Sequence, residues 1–467
     1  MDSRLKYILI SMIIFSLSAK FFLIFLNHGL WWDEAVYLNL GRNIQKGFYS
    51  LDPEKPLETF RSPVFPLLIS PFSESVLLVR ILVVMFSIIS VIFVYFFSKD
   101  LFGKETALWT SLFLSTNHVF IFFTTKALTE SVFISFLILS LLFFFRRKNK
   151  TSYLFLSGIF SGFAFLTRYL GTIFVFSYIL YFLYLFLLSK RNMKNLAKQF
   201  ITMFGGIFLV LSPWFMLSHV YYGNILGSYY TNMIDYSDYG KMFIGYFSNV
   251  IRNYFSDVFR AFGLQLFFII LGLYVMLKQG KGNHRILFTI IFFLPVIFFF
   301  LDPYRKPRYM LSYLPVYAVF SAFALRCEFK RIGRYLPCLA ILVCIFSMFT
   351  GFAMAWNDRY AASGLVQAAL YVRNVTGDDD YIMTQSYPYI YYLSGRRATV
   401  FPRNLENLEG EIKEKNIRYI LLYKFEPKNP DYTKDYFDRN SEFKLIRKFT
   451  QWGDPEAVKI YELRGFE

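Results

Sequence analysis

The chain is built around long apolar runs, and these limit what it can fold into more than any other feature. Eleven runs lie near 7–27, 75–98, 106–124, 128–145, 152–167, 171–188, 199–220, 260–278, 286–301, 309–325 and 335–356. Several approach the roughly 20 residues a helix needs to cross about 30 Å of hydrocarbon. With 59 Phe, 35 Tyr and 56% hydrophobic residues among 467, the composition excludes a disordered chain and suits a bilayer.

Charge supports the same reading. Residues 357–467 hold 17 basic and 17 acidic side chains, so the formal charge of +18 belongs entirely to residues 1–356. There it falls in short clusters between apolar runs. With the N-terminus cytoplasmic, the pieces 1–6, 99–105, 146–150, 189–198, 278–285 and 326–334 carry 19 Lys and Arg against four acids. Short positive loops gathered on one side are the positive-inside pattern. A nucleic-acid binder would collect its excess on one exposed face, so no nucleic-acid partner is expected. The expectation is a polytopic α-helical membrane protein of about 11 transmembrane helices, an odd span count that places the tail outside. Arg4 and Lys6 precede the first run, and no small-residue cleavage site follows it before Trp31, so that run is read as a retained span.

The expected domains are a transmembrane catalytic part at 1–356, with a first external loop at 28–74, and a small extracytoplasmic α/β domain at 357–467. In the loop, Val36, Leu40 and Ile44 repeat every four residues, as in a helix lying in the membrane interface. In the tail, 363–375 and 404–416 read as helices and Tyr381–Thr384 and Arg418–Tyr423 as strands. Residues 443–450 and 457–463 read as a hairpin around Gly453-Asp454-Pro455. Asn374-Val375-Thr376 is a formal glycosylation acceptor, read as a chance match. Cys327, Cys338 and Cys344 all lie outside the external parts, so no disulfide framework is expected there. The absence of such a framework favours a prokaryotic cell membrane as the location.

Ionisable groups at the external ends of the runs are the candidate chemistry. Asp33 and Glu34 follow the first run, and Arg61 precedes the second, which contains Arg80. Glu130 opens the fourth and Arg168 caps the fifth. Asp302, Arg305, Lys306 and Arg308 join the ninth to the tenth, which begins at Tyr309. Charge in lipid is costly, so such residues face a cavity or each other. Carboxylates beside guanidiniums suit group transfer from an anionic lipid. A polyprenyl-phosphate sugar needs an apolar groove for its tail, forked Arg donors for its phosphate, and a carboxylate to take the acceptor's hydroxyl proton. Each residue also has a structural reading: Asp33-Glu34 and Glu130 as helix-start caps, and the arginines as headgroup anchors. Glu58 and His219 are weak metal candidates. No cofactor is required, although a divalent cation is compatible. The rival function is a transporter or lipid flippase with an external charged cavity. No second copy of the Asp-Glu and Arg-Pro elements occurs, as a repeat-built transporter would have.

The chain resembles the GT-C superfamily of integral-membrane glycosyltransferases, in the branch of protein O-mannosyltransferases and the lipid A aminoarabinose transferase. The resemblance rests on Asp33-Glu34, Arg61-Ser62-Pro63 where the family often has Lys-Pro-Pro, and Leu128-Thr129-Glu130. It also rests on Ser212-Pro213-Trp214 with Tyr222-Gly223-Asn224, and on Arg308-Tyr309 with Pro315. It implies inverting sugar transfer from a polyprenyl-phosphate donor, at the extracytoplasmic face, to a protein or glycolipid acceptor. It also implies Asp33 as base with Glu34 beside it. Arg61, Arg80, Glu130, Arg168, Arg305, Arg308 and Tyr309 are the expected substrate-binding residues. Trp31-Trp32-Asp33 is similar to a tryptophan-rich motif of oligosaccharyltransferases. That motif lies in their soluble domain, so the match is read as coincidence.

Overall fold

The computed structural model describes residues 3–51, 57–147, 150–188, 193–225, 227, 256–279, 289–291, 293, 294, 297, 307–326 and 333–464. It divides into two compact units. The first joins Met1–Phe25, Leu57–Leu67 and Leu77–Trp356, and the second joins Leu26–Pro56, Leu68–Val76 and Asn357–Glu467.

The first unit is helical. Helices lie at each of the other expected apolar runs, while most of 286–301 is outside the described residues. In chain order they are α1 (Ser3–Leu26), then, after a helix of the second unit named α2 below, α3 (Val76–Phe102), α4 (Lys104–Thr116), α5 (His118–Phe123), α6 (Glu130–Arg146) and α7 (Thr151–Thr167). They continue with α8 (Thr172–Leu188), α9 (Met193–Tyr222), α10 (Gln265–Gln279), α11 (Leu314–Ala324) and α12 (Leu336–Asn357). Five helices are long and apolar enough to cross a bilayer: Ser3–Leu26, Val76–Phe102, Tyr169–Leu187, Met193–Tyr222 and Leu336–Asn357. A sixth candidate is the pair Ser256–Phe262 and Gln265–Lys278, bent by 93°. The chain is an integral membrane protein of polytopic, mainly helical design.

Two further expected runs are broken, each for a local reason. Asn117 leaves the helix at φ −61° and ψ 130°, and its side-chain oxygen accepts from Val119 N and Phe120 N, capping α5. Its Nδ2 donates to Gln265 Oε1 at 3.0 Å, tying the break to α10. The run at 309–325 breaks at Ser312–Tyr313, because Pro315 has no N–H to continue a helical ladder and favours a fresh first turn. Without water, helix association relies on close packing and internal hydrogen bonds. Helices α7 and α9 meet backbone to backbone, since a Cβ on Gly158 would lie 2.0 Å from Met203 O. Ser140 of α6 bonds the Ser157 carbonyl of α7 at 2.9 Å and approaches the Tyr178 hydroxyl of α8 at 3.0 Å.

The second unit is α/β. Helix α2 (Trp32–Gln45) and the tail helix α13 (Ser363–Val375) pack with a sheet of order β2-β1-β3-β5-β4. The strands are β1 (Tyr381–Met383), β2 (Arg397–Thr399), β3 (Ile417–Tyr423), β4 (Phe443–Gln451) and β5 (Asp454–Leu463). The first three are parallel, and β3, β5 and β4 pair antiparallel. The β4–β5 hairpin turns on Trp452 and Gly453, at φ +51° and +82°. Two positive φ values are what a tight hairpin matching strand twist requires. Asp454 and Pro455, expected in the turn, begin β5 instead. Met383, Phe401, Ile420, Leu422, Phe437 and Tyr461 belong to one buried cluster on the sheet.

Helix α2 is covered by the tail and does not lie free in an interface. Its Asn39 Nδ2 donates to Pro388 O at 2.8 Å, Arg42 Nη1 donates to Tyr392 O at 2.9 Å, and Trp32 meets the Tyr387 ring edge-on at 5.3 Å. The chain entering α2 pairs with the start of the tail. His28 N and Gly29 N donate to Arg359 O, and Leu30 N donates to Ala361 O.

Candidate functional site

In the first unit the fold gathers several expected site residues. Glu130 opens α6 and Arg168 follows α7, so two helices packed side by side present opposite charges at the same end. Glu130 is only 2% exposed, and Arg168 Nη1 donates to its Oε1. The other carboxylate oxygen, Oε2, is buried with no hydrogen-bond partner among the described residues. The Arg168 guanidinium lies 5.8 Å from the Tyr309 ring centre, and Arg308 lies 5.6 Å from the same ring. Two guanidiniums close to one ring repel each other, and an anion placed between them would relieve that repulsion.

Arg61 lies on the short segment ahead of α3. Tyr169 OH donates to Thr59 O at 2.7 Å, Tyr222 OH donates to Leu57 O, and Trp214 Nε1 donates to Tyr169 OH at 3.2 Å. The residue after Arg168 thus holds the segment that carries Arg61. The Arg61 guanidinium is half-buried, 5.3 Å from the Phe60 ring. Arg80 is 3% exposed within α3. Arg305, with Asp302 and Lys306, lies outside the described residues.

Asp33 and Glu34 belong to the second unit, in the first turn of α2. Glu34 is fully buried, and its Oε2 accepts from Trp31 N at 2.9 Å, closing the helix start. This is the capping arrangement, in which a third-position acid satisfies a free amide. Trp31 Nε1 donates to Asp358 at 2.7 Å, fixing the approach to the helix from the other side. Asp33 is half-buried. Nearby, the Tyr389 hydroxyl donates to Leu30 O. Burial, followed by Glu34, Tyr423, Glu426 and Asp33, pushes its pKa well up and keeps it a neutral donor. The tail therefore adds Tyr389 and Glu426 to the surroundings of Asp33, a convergence of residues more than 350 positions apart that no local pattern announces.

Two buried lysines have no counterpart among the residues expected from sequence. Lys20, in α1, donates to Thr124 Oγ1 at 2.8 Å and Ser87 Oγ at 3.2 Å, with the Phe120 ring centre 3.9 Å away. Lys126, 1% exposed, lies 4.8 Å from the Phe122 ring centre. The signal that could have found them is a single charge inside or at the end of an apolar run.

A donor set for a divalent cation is not assembled among the described residues. Glu58 Oε1 accepts from Phe60 N at 2.7 Å and Arg61 N at 3.3 Å, closing a turn. His219 is exposed near the end of α9.

Residues 63–217, which include Arg80, Glu130 and Arg168, match the family model for dolichyl-phosphate-mannose-protein mannosyltransferases. No curated protein sequence matches the chain. Among solved structures, ArnT from Cupriavidus metallidurans bound to undecaprenyl phosphate is similar over 97% of both chains, with TM-score 0.68 and 12% identity. The Archaeoglobus fulgidus oligosaccharyltransferase in the apo form has TM-score 0.65 and 13% identity, over 89% of this chain and 70% of that one. The mycobacterial arabinofuranosyltransferase AftD has TM-score 0.56 and 10% identity, over 97% of this chain and 40% of that one. At these identities the likeness concerns the fold alone, which the chain shares with these membrane glycosyltransferase structures.

Proposed function

We propose that the chain is an inverting glycosyltransferase that moves a hexose or pentose from a polyprenyl-phosphate donor to an acceptor hydroxyl on protein or lipid-linked glycan. The supporting observation is the group at Tyr309, where Arg168 and Arg308 flank one ring and the buried Glu130 pairs with Arg168. Such a group favours a lipid phosphate, and the similar ArnT structure is bound to undecaprenyl phosphate. The family model over 63–217 is described by a dolichyl-phosphate mannose reaction.

In this reading the Asp33 carboxylate takes the acceptor's hydroxyl proton as its oxygen attacks the anomeric carbon. The bond from that carbon to the phosphate oxygen breaks, the configuration inverts, and the lipid phosphate leaves as an anion. Arg61, Arg168 and Arg308 stabilise the departing charge, with Arg80 and Arg305 as further cations and Tyr309 as the wall. A phosphate leaving group needs no general acid. Glu34 keeps Asp33 in place by closing the turn that carries it. The Archaeoglobus fulgidus oligosaccharyltransferase has a structure in complex with Zn and sulfate. In this chain the proposed transfer runs through the side chains just named, and no metal step is assigned to Glu58 or His219.

The reaction is placed at the extracytoplasmic face, with eleven spans, residues 1–356 as catalytic part and the tail outside. Clipping of the tail by external protease in intact cells is the expected result, and full protection would reverse that topology. The direct test of function is Asp33→Asn assayed with labelled polyprenyl-phosphate sugar and a cell-envelope acceptor fraction. Transfer should fall by about 10²–10⁴-fold, the usual worth of a general base. Donor binding should be retained. Wild-type turnover in this variant would remove Asp33 from the mechanism.

A further inference from the structure

The second unit carries an exposed aromatic pair that the proposed reaction does not use. Trp452, at the tip of the β4–β5 hairpin, is 68% exposed, and its ring centre lies 5.2 Å from that of Phe425, itself 39% exposed. Tyr423 extends the row, 5.8 Å from Phe425. Large apolar side chains at a hairpin tip are costly in water, and two in contact form a patch rather than a chance exposure.

The place of the patch along the chain bears on its partner. Gln451, the residue before Trp452, donates to Tyr360 O at 3.2 Å and accepts from Gly364 N at 2.7 Å. Tyr360 stands three residues after Asn357, where the apolar helix α12 ends. Three residues of fully extended chain reach about 10 Å. On the other side, α1 ends at Leu26, and His28 stacks on Tyr360 at 5.8 Å between ring centres. Two bilayer-length helices therefore end within a few residues of the backbone that Gln451 grips. Along the chain, the hairpin tip is thus bonded to the backbone that leads directly into α12.

The two ends of the sheet differ in the same sense. The end at Tyr381, Ile417 and Phe443 is bordered by Asp378, Asp379, Asp380, Lys413, Lys415 and Lys444, as a water-facing rim should be. The end with Trp452 and Phe425 has Tyr360 half exposed, and its Lys424 is paired with Asp454 at 2.6 Å. Aromatic rings with paired or cationic neighbours are the composition of the headgroup layer. Burial also pushes the Glu426 carboxyl up from the usual carboxylate range, which eases its approach to that layer.

We propose that Trp452 and Phe425 form an interfacial anchor that seats the hairpin tip of the tail in the lipid headgroup layer. The anchor fixes the height of the 423–429 turn and of the α2 N-terminus, including Asp33, against the bilayer. The inference does not depend on the glycosyltransferase reading.

Fluorine NMR tests it, using the full chain labelled with fluorotryptophan in nanodiscs of phosphatidylcholine and phosphatidylglycerol. The Trp452 resonance is the one missing from Trp452→Phe, a variant that keeps an aromatic ring against Phe425. Nitroxide placed at the lipid headgroups should broaden that resonance beyond detection. If it survives the nitroxide lipid and is instead lost to a soluble gadolinium chelate, the hairpin faces water and the proposal is wrong. If it survives the nitroxide lipid and shifts on addition of mannose oligosaccharides, the aromatic pair is a glycan platform, and the membrane assignment is equally overturned.

Discussion

The two units keep their polar side chains in opposite ways. Within the helical unit buried polar side chains among the described residues are held from within. Lys20 is held by two hydroxyls and a ring, Glu130 by Arg168, and Ser16 by the Ser115 carbonyl of a neighbouring helix. Within the α/β unit the charges are many, paired and mostly at the surface. Arg418 meets Glu462 at 2.8 Å, Lys459 meets Asp438 at 2.8 Å, and Lys448 meets Glu456, all above an apolar cluster centred on Phe437 and Tyr461. Water explains the difference. At a wet surface a pair contributes about 0–1 kcal/mol, and its partners can return to solvent. Where water is excluded, a charge stripped of its partner has nowhere to turn.

Glu130→Ala gives the largest expected effect. It leaves the Arg168 guanidinium buried without its carboxylate, at a cost of about 3–5 kcal/mol by analogy with other broken buried pairs. Thermal unfolding in nanodiscs would show a marked fall. The double variant Glu130→Leu with Arg168→Leu removes both charges and should recover most of the stability while losing transfer. A Glu130→Ala melt that overlays wild type would mean the site is wet, and the contrast between the units would collapse.

That pair also shows where sequence is informative. Glu130 and Arg168 were legible because each interrupts the boundary of an apolar run, and hydrocarbon permits few explanations for such a residue. The helices were legible for the same reason. The break at Asn117 was not, because an Asn within an apolar run says nothing of whether it will cap a new helix; its partner Gln265 is 148 residues away. The tail strands were read from alternation, and the hairpin from Gly453. The turn sits one residue earlier than expected because positive φ falls on Trp452, an unusual host. The packing of α2 with Pro388 and Tyr392 had no local trace. The periodic face at Val36 and Leu40 announces that something covers it, and membrane and protein satisfy that pattern equally.

A smaller effect separates the units by pH. In the tail, burial raises the Glu426 carboxyl above its ordinary value, outweighing the hydrogen bond from the Lys428 backbone. A carboxyl whose folded pKa is raised costs stability when ionised. The cost is absent below the unfolded value, about 4.3, and complete once pH passes the raised folded value. Glu426→Gln keeps an acceptor for Lys428 and removes that cost. Hydrogen exchange across 423–429 should therefore be slower than wild type at neutral pH and indistinguishable near pH 4. A pH-independent difference would mean the change acts through packing rather than ionisation.

Lys20→Met should have the smallest effect, although Lys20 is the more deeply buried charge. The reason lies in what each partner does when the amine is gone. Ser87 Oγ still donates to Val84 O at 2.7 Å, and Thr124 Oγ1 still donates to Phe120 O at 2.5 Å, so neither hydroxyl is left without a bond. Methionine is close to the lysine stem in shape, and its sulfur is at ease over the Phe120 ring. Replacing a buried charge by an apolar side chain of similar volume, where the remaining groups stay satisfied, is commonly neutral or stabilising. An unfolding midpoint equal to or above wild type is expected. A large loss would show that Lys20 neutralises a charge beyond Ser87, Thr124 and Phe120. The rule drawn from Glu130, that removing a buried charge is costly only when it strands a partner, would then fail within the same unit.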